Sequence, residues 1–151
     1  MTLRFSNAML VVPSEYKGVR KYHTRPPVGI AYIAEALYQI GVTYTVVDMG
    51  LDYDVDAVIA MIKEQKPQLV CLTGMSFGYK FVYALISKIK EIYPEIKTFV
   101  GGSLPWSMRE KVMEECPALD FAIPGEGEEV IQELCIGKPV ELIKGLFFRD
   151  T

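Results

Sequence analysis

Short apolar runs, each of strand length, alternate along this chain with segments of helical periodicity. The runs cover 8–13, 43–48, 68–73, 96–101 and 120–124, with a weaker one at 145–149. Near-continuous apolar composition marks strands covered on both faces of a parallel sheet. Between them the apolar spacing becomes helical. Segment 26–40 carries Ile30, Ile33, Ala34 and Leu37 on one stripe, and 54–65 carries Val55, Val58, Ile59 and Ile62. Segment 79–93 does the same with Val82, Leu85, Ile86 and Ile89, and 105–115 and 126–135 follow the pattern. Pro26-Pro27 suits a helix start, Gly41 a helix end, and Pro94 stops the third helix.

This alternation predicts right-handed crossovers and a parallel sheet. The expected fold is α/β: a Rossmann-like or flavodoxin-like doubly wound sheet in three αβα layers. Its expected strand order is 2-1-3-4-5, with 145–149 as an extra edge strand. Without a repeat, linker or low-complexity stretch, residues 1–151 read as a single domain.

Composition narrows the partners. Half the residues are hydrophobic and 23% are charged, which suits a packed core and not a disordered tail. A net charge of -3 argues against nucleic acid, which asks for a basic face. No apolar run is long enough to span a membrane, and the N-terminus enters a strand without the apolar core of a signal peptide. Cys71, Cys116 and Cys135 are odd in number and lack metal-ligand spacing. A reducing cytoplasm is the simplest location for them.

Three consecutive strands end in small or glycine-bearing turns: Thr73-Gly74-Met75-Ser76, Gly101-Gly102, and Pro124-Gly125-Glu126-Gly127-Glu128. Residues without a Cβ let a ligand lie against bare backbone, and the carboxyl edge of such a sheet is where ligands bind. The long connection 14–25 belongs to the same rim and carries Lys17, Arg20, Lys21 and Arg25 against one acid, Glu15.

Common nucleotide signatures fail here. The P-loop pattern is absent, and Gly125-Glu126-Gly127-Glu128-Glu129-Val130 lacks the third glycine of a dinucleotide fingerprint and follows the wrong strand. Glu126 and Glu128 are expected in the first turn of the last helix, where they either stabilise its dipole or meet hydrogen-bond donors of a ligand. His23, the single histidine, reads as a solvated loop residue and not a metal ligand. Phe77 and Trp106 follow glycine-bearing turns, where an aromatic either stacks on a flat ligand or covers the sheet. Met75 could line a broad pocket or simply pack. No nucleophile–base pair is recognisable, so no catalytic residue is assigned and a binding module is expected.

The turns together resemble a known family. Pro26-Pro27-Val28-Gly29-Ile30-Ala31-Tyr32-Ile33-Ala34, Val46-Val47-Asp48 and Val100-Gly101-Gly102-Ser103-Leu104-Pro105 carry the likeness. So do Asp120-Phe121-Ala122-Ile123-Pro124-Gly125-Glu126-Gly127-Glu128 and Ile143-Lys144-Gly145-Leu146-Phe147-Phe148-Arg149. In this order they are similar to the N-terminal cobalamin-binding domain of cobalamin-dependent radical SAM enzymes, over about residues 8 to 149.

The resemblance implies cobalamin (vitamin B12) over the carboxyl edge, its nucleotide tail directed toward the turns 73–77 and 101–104. The implied cofactor-binding positions are Pro13, Ser14, Gly29, Thr73, Gly74, Met75, Ser76 and Phe77. They continue with Gly101, Gly102, Ser103, Leu104, Gly125, Glu126, Gly127 and Glu128. Better-known cobalamin proteins carry Asp-x-His-x-x-Gly after the first strand, and this chain reads Pro13-Ser14-Glu15-Tyr16-Lys17-Gly18 there. Neither His23 nor the cofactor's own base is therefore expected to ligate cobalt. The family's Cys-x-x-x-Cys-x-x-Cys motif belongs to a following radical SAM domain and is absent here. The 4Fe-4S cluster and S-adenosylmethionine are thus expected only in a longer parent. The parent's implied chemistry is methyl transfer or oxidative ring closure, as in anaerobic magnesium-protoporphyrin IX monomethyl ester cyclases.

Two other readings share the strand order. A flavin- or nucleotide-binding domain would use the basic segment 14–25 to hold phosphate. A signalling receiver would need acids after the first strand and an aspartate ending the third, where this chain has Pro13-Ser14 and Thr73.

Overall fold

The computed structural model describes residues 2–15 and 27–149. Five strands run parallel: β1 (Asn7–Val12), β2 (Thr43–Asp48), β3 (Leu69–Thr73), β4 (Lys97–Gly101) and β5 (Phe121–Ala122). A sixth, β6 (Phe147–Phe148), lies antiparallel on β5 with Phe148 opposite Phe121. The order is β2-β1-β3-β4-β5-β6, so the expected doubly wound topology and its extra edge strand are both present.

The helices are α1 (Val28–Gln39), α2 (Val55–Gln65), α3 (Tyr79–Ile92), α4 (Ser103–Met108), α5 (Lys111–Glu115) and α6 (Glu128–Cys135). Local chemistry sets their ends. The Asp54 carboxylate accepts from the Ala57 N–H at 2.9 Å, capping α2. Gly41, at φ +79°, lets the chain turn away after α1.

Alternation along each strand divides the core into two layers. Ala8, Leu10 and Val12 of β1 point to one face with Ile30, Ala34 and Leu37 of α1 and Val130, Ile131 and Leu134 of α6. Met9 and Val11 point to the other, with Val58 and Ile62 of α2 and the α3 stripe Val82, Leu85, Ile86 and Ile89. This is the three-layer arrangement, and the helical spacing had named its stripes.

Three details depart from the sequence reading. The helix expected over 105–115 is two helices, broken at Arg109, whose φ of +53° no helix accommodates. Periodicity through Leu104, Met108 and Val112 looks continuous, yet the break lets both Leu104 and Val112 be buried. β5 pairs over only two residues, Phe121 and Ala122, before the chain turns toward α6. β2 is an edge strand with Tyr44 and Val46 exposed, so it is not covered on both faces.

Arg149 ties the last strand down. Its guanidinium donates to the carbonyls of Leu119 at 3.2 Å and Cys116 at 3.3 Å, and also to that of Met113. Beside it, Asp120 anchors the start of β5 from inside the protein. Its carboxylate accepts from Lys90 Nζ at 2.7 Å, the Thr98 N–H at 2.9 Å and Lys97 Nζ at 3.2 Å. Burial pushes the Asp120 carboxyl up, but the Lys90 and Thr98 hydrogen bonds with both ammonium charges outweigh it and hold it below the usual range.

A depressed folded-state value contributes stability that is complete above the unfolded aspartate range and is lost as pH falls through the folded value. Asp120→Ala should therefore cost about 3 kcal/mol in urea unfolding at neutral pH, since it strands two partly buried cations. The variant's loss relative to wild type should shrink as the pH is lowered below about 4. An equal difference at pH 7 and at acid pH would show that the carboxylate contributes no charge-dependent stability.

Candidate functional site

Parallel strands deliver their carboxyl ends to one edge, and the segments after β3, β4 and β5 converge there with the start of α1. They enclose a pocket of about 180 Å³. Ile33, Cys71, Phe99 and Ile123 contribute its apolar wall, and Glu126 and Glu128 line it as well. Among the described residues no cation lines it. The pocket brings together eight of the expected positions: Gly29, Thr73, Gly101, Gly102, Gly125, Glu126, Gly127 and Glu128. Pro13, Ser14, Gly74, Met75, Ser76, Phe77, Ser103 and Leu104 are outside its lining.

The glycines are of two physical kinds. A Cβ added at Gly29 or Gly125 meets nothing within 4 Å, and one at Gly101 first meets Ile123 Cγ2 at 3.6 Å. These positions border open space. A Cβ at Gly74 would come within 2.8 Å of Leu104 Cβ, and one at Gly102, where φ is +94°, within 2.7 Å of the Gly74 carbonyl oxygen. Gly74 also donates its N–H to the Gly101 carbonyl at 2.8 Å and accepts from the Leu104 N–H at 2.9 Å.

The turns after β3 and β4 are thus locked against each other at Gly74, Gly102 and Leu104. The opening lies instead beyond Gly101, toward α1 and α6. Leu104 is 1% exposed, so its side chain serves the core beneath the lock. Ser76 reinforces the junction, its hydroxyl 3.0 Å from that of Ser107.

Elsewhere along the carboxyl edge, apolar side chains outside the pocket lining are exposed. Met75 and Phe77 follow β3, Trp106 lies in α4, and Leu51 and Tyr53 follow β2. At 77% exposure Phe77 does not cover the sheet. Trp106 instead holds the Arg109 guanidinium 4.8 Å from its ring centre. The Asp48 carboxylate, ending β2, accepts from the Gly50 N–H at 2.9 Å and shapes that turn.

α6 begins two residues later than the sequence suggested. Gly127 is its N-cap and Glu128 and Glu129 occupy the first turn, so Glu126 precedes the helix and is exposed. The reason is local: residues 124–127 are spent turning from β5 toward α6. Among the described residues no three His, Cys, Asp or Glu side chains gather as a metal site, and no helix is long and apolar enough to cross a membrane. His23 and the basic positions Lys17, Arg20, Lys21 and Arg25 lie outside the described residues.

Sequence reasoning missed the apolar wall. Ile33, Cys71, Phe99 and Ile123 carry the same signal as any core residue, and only the packing shows which of them borders a void. The Cys71 thiol is pushed well up by burial and further by the neighbouring Cys135, so it stays protonated. Burial lifts Cys135 to about 12 and raises Cys116 as well.

Residues 20–135 match the family described as B12 binding domain. An uncharacterized methyltransferase of Pyrococcus horikoshii is 24% identical over 99% of this chain and 34% of its own length. The anaerobic magnesium-protoporphyrin IX monomethyl ester cyclase of Rubrivivax gelatinosus is 33% identical over 72% of this chain and 20% of its own. The chain therefore spans about a third of the first relative and a fifth of the second. Among solved structures, the cobalamin-dependent S-adenosylmethionine radical enzyme OxsB, with aqua-cobalamin and S-adenosylmethionine bound, shares the fold. Its TM-score is 0.77 at 16% identity, covering 97% of this chain and 21% of OxsB. The chain belongs to the B12 binding domain family.

The two kinds of glycine should separate in thermal unfolding. Gly102→Val should cost at least about 2 kcal/mol through backbone strain and overpacking, whereas Gly125→Val should leave the midpoint within a degree or so of wild type. Equal midpoints for the two would remove the lock. Ellman's reagent at pH 8 should label none of the three cysteines until denaturant is added, because all are buried and protonated.

Proposed function

We propose that this B12 binding domain holds cobalamin at the carboxyl edge of its sheet, as one module of a longer radical SAM enzyme. One observation carries the reading: a pocket bordered by open glycines and two carboxylates, on the same sheet edge as exposed apolar side chains. Its volume of about 180 Å³ is below the range of roughly 300–1,000 Å³ that encloses a whole small ligand. It suits an appendage of a larger molecule whose remainder lies on the rim. Glu126 and Glu128 favour hydrogen-bond donors such as the amide side chains of a corrin. They disfavour the phosphates of a flavin or nucleotide, for which the pocket lining offers no cation among the described residues.

The residues that would hold the cofactor are Gly29, Gly101 and Gly125 at the pocket, the two glutamates beside them, and Met75 and Phe77 on the rim. Cobalamin, when bound, supplies a cobalt centre able to carry a methyl group or change oxidation state. The chain's part would be to bind the cofactor and offer it the exposed apolar surface of Met75 and Phe77. With Pro13-Ser14-Glu15 after β1 in place of a histidine-bearing motif, these three residues would offer no imidazole to cobalt. The relatives' greater length supports a further domain, which we assign as a C-terminal radical SAM domain holding the 4Fe-4S cluster and S-adenosylmethionine. Methyl transfer or oxidative ring closure is the parent's reaction in this reading, and three buried thiols suit a reducing cytoplasm.

After mixing with hydroxocobalamin and gel filtration, the corrin absorption should elute with the protein. Gly125→Val, which the fold tolerates, should retain the cofactor at least tenfold less well. Undiminished retention by that variant would take the pocket out of the reading, and quenching of flavin mononucleotide fluorescence by the wild type would favour the nucleotide alternative.

A further inference from the structure

The opposite, amino edge of the sheet holds a larger hollow, of about 530 Å³. It is formed where Arg4 and Phe5 lead into β1, where α2 gives way to β3, and where α3 gives way to β4. We propose that it is a second binding site, for a small organic anion with an apolar body.

Charge supports this first. Among the described residues, Arg4, Lys63, Lys66 and Lys97 line the hollow against one carboxylate, Glu95. The carbonyl end of α2 draws Lys63 and Lys66 toward it in part. Arg4 lies beside β1 with its guanidinium on the carbonyl just past the end of α6, and Lys97 lies in β4 beside Asp120. Lys97 shares Asp120 with Lys90, and Arg4 donates to the Gly137 carbonyl at 3.1 Å, so both are held in place rather than swinging in solvent.

Backbone conformation is the second support. Lys66 caps α2 at φ 48° and ψ 55°, the left-handed region where glycine is the usual occupant. A cation is kept at a position where its own backbone conformation is unfavourable. Such positions cluster at binding sites.

The shape and floor define the ligand. Phe5, Ile62, Pro67 and Ile96 are buried at the hollow, and Tyr93 is half-buried in its wall. Its volume lies inside the range of roughly 300–1,000 Å³ that small-molecule sites occupy. An inorganic anion would leave most of that space and all of the apolar floor unused, and a cationic ligand would be repelled. A carboxylate or phosphate attached to a flat or apolar body, the size of a mononucleotide or an aromatic acid, uses both. Being on the other edge of the sheet, the site shares no lining residue with the cofactor pocket.

The test uses 8-anilinonaphthalene-1-sulfonate, an apolar anion whose fluorescence rises on binding. The wild-type chain should bind it saturably and more weakly as salt is added. Lys63→Glu/Lys66→Glu, both exposed positions, should weaken it at least tenfold while retaining hydroxocobalamin as the wild type does. Lys66→Gly relieves the backbone, so it should melt no lower than wild type yet bind the probe about threefold more weakly. Displacement by adenosine monophosphate would identify a phosphate ligand, and displacement by an aromatic carboxylate the other source. The proposal fails if Lys66→Gly gains stability and binds the probe unchanged, if the double variant binds as the wild type does, or if neither displacer competes.

Discussion

The carboxyl edge of this protein is organised by a close approach of backbone to backbone. Gly102 comes so near the Gly74 carbonyl that a Cβ would stand 2.7 Å from the oxygen, while two hydrogen bonds, from Gly74 to Gly101 and from Leu104 to Gly74, draw the same segments together. That contact closes the gap between the turns after β3 and β4. It seals Leu104 into the core and pushes the free space to the far side of Gly101. Leu104 and the turns that carry Met75, Phe77 and Trp106 adjoin that closure.

Division of labour between the two sheet edges follows from parallel strands. All five deliver their chain reversals of one kind to one side, so the carboxyl edge collects the glycine-bearing turns and helix N-termini. The amino edge collects the ends of helices and the starts of strands, and with them cations that the carbonyl ends of helices favour. The carboxyl-edge pocket is lined by acids, whereas the amino-edge hollow is dominated by bases. The two edges thus present chemically different linings.

Buried polar groups hold the sheet's far side in register. Asp120 accepts from Lys90, Lys97 and Thr98, and Thr98 Oγ1 in turn accepts from the Asp120 N–H at 3.1 Å and donates to the Ala118 carbonyl at 3.0 Å. β5 needs this, since two residues of ladder alone would place it poorly. Arg149 completes the arrangement by bonding three carbonyls ahead of β5, which lets β6 close the edge.

Fold class, strand order, helix stripes and the small residues at the strand ends were all legible in the chain, because each depends on residues close in sequence. Apolar period separates strand from helix, and Gly41, Pro94 and Asp54 act on their immediate neighbours. What a glycine is for was not legible. Gly74 and Gly125 read alike, yet one accommodates Leu104, thirty positions away, and the other faces open space. The break at Arg109, the two-residue β5 and the basic hollow built from Arg4, Lys66 and Lys97 share that character. Local sequence determined which elements form. Only the packing of segments far apart in the chain decided where space was left between them, since a void is a property of several surfaces that no single stretch of sequence contains.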